Sequence, residues 1–145
     1  MHTFLFQEST WLVKGLYYDN NENKIKAEGQ INIIHDPQTW YIEQKYNLYH
    51  PEKEVIHTTN FSVSPIEGLD ESAALSTYHP EQGSINGTIF IMENTMMLKY
   101  KAENSDFNSV EMLTQLSTEV YECKGFCIED NIKKSSWSLR LTMSR

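Results

Sequence analysis

The feature that most limits what this chain can fold into is a two-residue alternation of apolar and polar side chains. It runs through nearly every segment, with no long 3.6-residue pattern to compete with it. Ile25, Ala27, Gly29, Ile31 and Ile33 fall on one face, and Lys24, Lys26, Glu28, Gln30 and Asn32 on the other. Successive side chains of a strand point to opposite sides of the sheet, so such a run buries one face and wets the other. Trp11, Val13, Gly15 and Tyr17 repeat the pattern, as do Trp40, Ile42, Gln44, Tyr46 and Leu48, and then Val55, His57, Thr59, Phe61 and Val63.

Clusters of turn formers punctuate the runs: Asp19-Asn20-Asn21-Glu22-Asn23, Asp36-Pro37, His50-Pro51-Glu52-Lys53, Glu93-Asn94 and Asp130-Asn131. Links this short join neighbouring antiparallel strands. The reading is nine or ten strands in sequential pairing. Residues 66–82 are the exception, because Asp70 followed by Glu71-Ser72-Ala73-Ala74-Leu75 fits the start of a short helix while Ala73 to Tyr78 fits a strand. Gly15, Gly29, Gly87 and Gly125 fall inside strands, where glycine marks bends that let a sheet curl. Closing the sheet also removes its exposed edges. The expectation is an all-β chain, an antiparallel up-and-down β-barrel of eight to ten strands forming one domain over residues 1–145.

Twelve basic residues against twenty acidic ones leave a formal charge of −8, which repels nucleic acid and anionic membrane surfaces. Neither a cleavable leader nor an apolar run of spanning length is present, so no membrane partner is expected and the expected compartment is the cytoplasm. In that setting the triplets Asn60-Phe61-Ser62 and Asn86-Gly87-Thr88 carry no glycan. Cys123 and Cys127 sit four residues apart; in a strand their Cα atoms lie about 13 Å apart, beyond the roughly 7 Å that a disulfide spans, so two reduced thiols are expected.

No motif carries chemistry by itself. A nucleophile elbow, a phosphate-cradling glycine loop and a zinc helix are all missing, so no catalytic residue, metal set or cofactor is assigned. What a small barrel offers is its interior, and eight to ten strands enclose room for one small ligand. The faces taken to point inward carry Trp40, Tyr46, His57, Phe61, Tyr100, Met112 and Phe126, which are the candidate ligand-binding residues. Trp11, Tyr17, Ile89, Met96, Leu98 and Trp137 share those faces. Such a lining suits a flat or amphipathic apolar molecule, although aromatic residues also fill cores where nothing binds. Glu43, Glu111 and Glu122 alternate with core candidates, and a carboxyl turned inward there would have a raised pKa suited to proton transfer; surface placement is the commoner outcome.

Trp11 on the first strand, with Gly15 and Tyr17 after it, and Arg140 on the last strand resemble the calycin superfamily, the lipocalins and their bacterial barrel relatives. Ser9 stands where that family carries a glycine two places before the tryptophan. Arg140 alternates out of phase with Trp137, Leu139 and Leu141, and so faces out if they face in. The resemblance implies a lipocalin-like barrel with Trp11 buried near one end. Among such relatives are haem binders whose iron is held by histidine. His57 is the one histidine placed mid-strand on an apolar face, yet a lone histidine there is more often a hydrogen-bonded structural residue.

These readings converge on a binder of a small apolar or amphipathic ligand, rather than an enzyme. The alternatives are a barrel enzyme of the isomerase, cyclase or chromophore-attachment type, marked by carboxylates or histidine converging on one wall, and a filled barrel serving as a protein-interaction domain.

Overall fold

The computed structural model describes residues 1–68 and 70–144. Ten strands are present: β1 (Ser9–Tyr18), β2 (Lys24–His35), β3 (Trp40–Tyr49), β4 (Glu54–Val63), β5 (Ser72–His79), β6 (Gly83–Met92), β7 (Thr95–Ala102), β8 (Asn108–Ser117), β9 (Val120–Glu129) and β10 (Ile132–Ser144). Each pairs antiparallel with its chain neighbours, and β1 with β10, closing a lipocalin-like up-and-down barrel. The segment that sequence left open between helix and strand is β5, paired with β6 from Ser72↔Phe90 to His79↔Gly83. The β9–β10 turn shows how local sequence drives the topology. Asp130 and Asn131 both take left-handed backbone, φ 56° and 61°, which a two-residue hairpin of right-handed twist requires and which Asp and Asn tolerate.

One seam differs from the rest. Strands β4 and β5 share only the pairs Ser62↔Ser76 and Val63↔Leu75, against seven to ten residue pairs at each other seam among the described residues. Just beyond them Ser64 N–H donates to Ala74 O at 3.0 Å, and towards the opposite end only the Thr77 hydroxyl reaches across, to Asn60 O at 2.6 Å.

The two ends of the barrel are built differently. At the end where β1 begins, residues before Ser9 fold under the opening as a plug, with Phe4 and Leu5 buried against Trp11 and Tyr121. Trp11 is fully buried as expected, with the rings of Phe4 and Tyr121 edge-on at 5.6 and 5.4 Å. Its indole N–H donates to Ser9 Oγ at 2.9 Å, which satisfies the one polar atom of the side chain. Arg140 does not cover Trp11. It lies on the outer face and pairs with Glu122 at 3.1 Å.

The Tyr121 hydroxyl fastens the plug by accepting from Thr3 N–H and Phe4 N–H at 3.1 and 3.3 Å. His2 completes the knot: its Nε2 lies 2.8 Å from Glu93 O, a group that only accepts, so Nε2 carries the proton and Nδ1 accepts from Tyr121 at 2.8 Å. Burial lowers the His2 pKa and so favours this neutral form.

Candidate functional site

Inward positions near the other end are not filled. A cavity of about 260 Å³ opens there, between the hairpin turns 19–23, 50–53 and 103–107. Tyr17 and His57 stand at its mouth with ring centroids 6.5 Å apart, Phe107 comes from the β7–β8 loop, and Tyr46, Tyr100 and Trp137 line the walls. A lateral recess of about 320 Å³, lined by Ile56, Phe61 and Tyr78 among others, shares His57, Thr59, Tyr100 and Phe107 with it. That recess lies along the sparsely paired stretch of β4 and β5.

The chemistry of the cavity centres on Glu111 of β8. Its side chain is 6% exposed, and Oε1 accepts two hydrogen bonds, from Cys123 Sγ at 2.8 Å and from Trp137 Nε1 at 3.2 Å. Oε2 takes part in neither bond, and Glu111 lines the cavity. Burial raises the Glu111 pKa, and the two donors only partly offset that. The Cys123 thiol is pushed well up by its own burial and by the carboxyl beside it, so it is a hydrogen-bond donor and no nucleophile. Burial likewise raises the Tyr46 and Tyr100 phenols, with the Glu111 charge next in importance for both. His57 is lowered, first by burial and then by the neighbouring charges of His79 and His50.

Gly125 makes the arrangement possible. A Cβ on this residue would lie 2.5 to 2.7 Å from Trp137 ring atoms, so only glycine lets the indole lie flat on β9 with its N–H on Glu111. Below it on the same strand face Cys127 meets the Ser135 hydroxyl at 2.9 Å, and both cysteines are free thiols.

Of the residues singled out from sequence, Tyr46, His57 and Tyr100 line the cavity, and Phe61 lines the lateral recess with its ring edge-on to Tyr100 at 5.4 Å. Trp40 lies at the plugged end, stacked on His35 at 4.1 Å with Phe6 edge-on, and reaches neither space. Met112 and Phe126 are corrections: both point outward, 40% and 38% exposed. Their strands run in the opposite phase. On β8 the inward residues are Ser109, Glu111 and Leu113, a more polar set than the outward Val110 and Met112. On β9 Phe126 shares the outer face with Glu122 and Lys124, a charge signal that was legible and outweighed by the aromatic ring. Of the three carboxylates weighed, Glu111 alone lines the cavity; Glu122 pairs with Arg140 outside, and Glu43 borders an outer groove. Gln44, in phase with Tyr46 on its strand, also lines the cavity, as do Phe107, Ser109 and Ser135, for which sequence reasoning had no signal. Among the described residues no group of three or more histidine, cysteine or acidic side chains is placed to hold a metal ion, and no helix is long and apolar enough to cross a membrane.

No family model matches the chain, and no curated protein is significantly similar to it. Among solved structures, an S-type phycobiliprotein lyase from Guillardia theta superposes with a TM-score of 0.70 over 98% of this chain and 91% of that one, at 8% sequence identity. An AttH protein from Nitrosomonas europaea aligns over 97% of this chain and 52% of that one at 12% identity, with a TM-score of 0.29 that supports no comparison of folds. At such low identity the lyase likeness speaks to architecture alone, and it agrees with the lipocalin-like antiparallel barrel fold of this chain.

Proposed function

We propose that this protein binds a small amphipathic molecule in the open end of its barrel. The observation that carries the reading is the cavity itself: about 260 Å³, lined by five aromatic rings, by aliphatic and by small polar side chains, and holding one buried carboxyl. Binding pockets combine a mostly apolar surface with a few placed polar groups, and commonly run from about 300 Å³ upward. A guest matched to the resting cavity is therefore small, of one ring or a short chain, and a haem held by His57 exceeds it. An unfilled interior also weighs against a barrel that serves only as an interaction domain.

Glu111 favours a second reading, a barrel enzyme of the isomerase or cyclase type. A carboxyl with a raised pKa, held by two donors on the wall of a cavity, is suited to moving a proton. Chromophore attachment is one member of that class, and the structure that shares the fold is named a phycobiliprotein lyase. The test is native mass spectrometry of protein purified from its own host, followed by a melting-temperature screen of small amphipathic compounds. A retained or stabilising compound whose effect is lost in Tyr100→Ala supports the binder. Turnover of that compound, abolished by Glu111→Gln with binding intact, moves the conclusion to the enzyme. A screen in which nothing co-purifies or raises the melting temperature overturns both.

A further inference from the structure

We propose that the guest is an organic cation, an ammonium group on a one-ring or short apolar body, with its charged head on Glu111 Oε2. This rests on the ligand-binding reading above and names the chemistry of the ligand. Three observations point the same way. The first is the buried carboxyl itself: Glu111 lines the cavity, and its two protein donors, Cys123 and Trp137, both fall on Oε1 and leave Oε2 out of either bond. The second is the wall, where Tyr17, Tyr46, Tyr100, Phe107 and Trp137 supply five aromatic rings. Ring faces attract ammonium groups, and cages of such rings are a recurring way to hold them. The third is what the wall omits. No lysine or arginine lines the cavity, so a carboxylate or phosphate head would be stripped of water with no cation to meet it, at a cost of several kcal/mol. A net charge of −8 further enriches cations near the mouth.

The ionised Glu111 carboxylate accepts N–H hydrogen bonds from a primary ammonium, or faces the charge of a quaternary one, and burial raises the pH at which the carboxylate is lost. The groups around it do not compete for that role. Tyr46 on β3, Tyr100 on β7 and Cys123 on β9 are held protonated, Trp137 on β10 only donates, and His57 and Tyr17 lie out at the mouth with Cys127 beside Ser135.

The experiment compares matched probes on the full-length protein by isothermal titration calorimetry: 2-phenylethylammonium, phenyltrimethylammonium, 2-phenylethanol and 3-phenylpropionate. The expected result is that both cations bind about tenfold or more tighter than the alcohol, as a charge-assisted contact provides, and that the carboxylate is excluded. Titrations at a series of pH values should show cation affinity falling as pH is lowered through the raised Glu111 pKa, and alcohol affinity unchanged. Glu111→Gln should bring the cations down to the affinity of the alcohol while leaving the alcohol unchanged. Should that variant fail to fold, the pH dependence of the unaltered protein decides alone. Equal affinity for cation and alcohol, or a cation affinity that does not fall as pH is lowered, overturns the cationic ligand and leaves a neutral-ligand binder standing. Binding by none of the four overturns both.

Discussion

Replacing Tyr121 with phenylalanine isolates what the plug owes to one hydroxyl. The ring is kept, and with it the contacts to Trp11 and Phe4, so the change removes only an oxygen that serves three partners. Phe4 N–H, whose bond is buried, is left unsatisfied at about 1–3 kcal/mol, and the His2 Nδ1 lone pair loses its donor. Thr3 N–H is part-buried and regains a partner from water, so it adds little. The sum is roughly 2–4 kcal/mol, well above the ~1 kcal/mol net of an ordinary hydrogen bond. Equilibrium urea unfolding reads it directly: with a slope of about 2 kcal/mol per molar, the midpoint should fall by about 1–2 M at unchanged slope. Acid should have a related effect on the unaltered protein. Because burial depresses the folded pKa of His2 below its ordinary value of 6.5, the stability from the neutral ring is present above 6.5 and lost as pH falls through the folded pKa. A midpoint shift equivalent to less than about 1 kcal/mol would refute the reasoning, because the knot would then be open to water and the plug held by its apolar contacts alone.

Trp11→Ala removes a fully buried indole and should cost about 3–5 kcal/mol by denaturant melt; a loss under about 1 kcal/mol would contradict its place in the core. Gly125→Ala should cost roughly 1–3 kcal/mol of overpacking and shift the Trp137 fluorescence, as the new methyl displaces the indole from Glu111; an unchanged spectrum would count against that contact. For Glu111→Gln the sign follows from a raised folded pKa, which makes the acid's contribution full below its ordinary value of 4.5 and lost as pH rises through the folded value. The variant should therefore gain on the unaltered protein as pH rises, and a stability difference that does not vary with pH would show that Glu111 is not buried. Along β4, amides of residues 56–60 on the β5 side should exchange hydrogen before those of β1 and β2, and uniform protection around the barrel would contradict the sparse seam.

The barrel was legible because its signal is redundant: alternation, turn clusters and strand glycines all point to one curled antiparallel sheet. The site was legible where a strand had one clearly apolar phase. On β3, β4 and β7 that phase correctly turned Tyr46, His57, Phe61 and Tyr100 inward. On β8 and β9 it misled, since the wall of a cavity is free to be more polar than the surface behind it. Glu111 shows the limit most plainly. Binary patterning reads an acid as a surface residue, and what makes burial tolerable here is a thiol and an indole brought from β9 and β10 by register. Trp40 illustrates a different gap, for the phase of a strand says inward or outward but not which end of the barrel a residue serves.

The thin join between β4 and β5 changes what the resting volume means. A tube hydrogen-bonded evenly around its girth can swell only by breaking a full ladder, whereas this one is clasped on one side by two residue pairs near the plug. Parting the staves above that clasp sacrifices the Thr77 bridge and little other backbone pairing, while nine firmer joins keep their register. The volume at rest is then the size of guest that enters without rearrangement, and a larger one has to part β4 from β5 and draw Phe61 away from Tyr100.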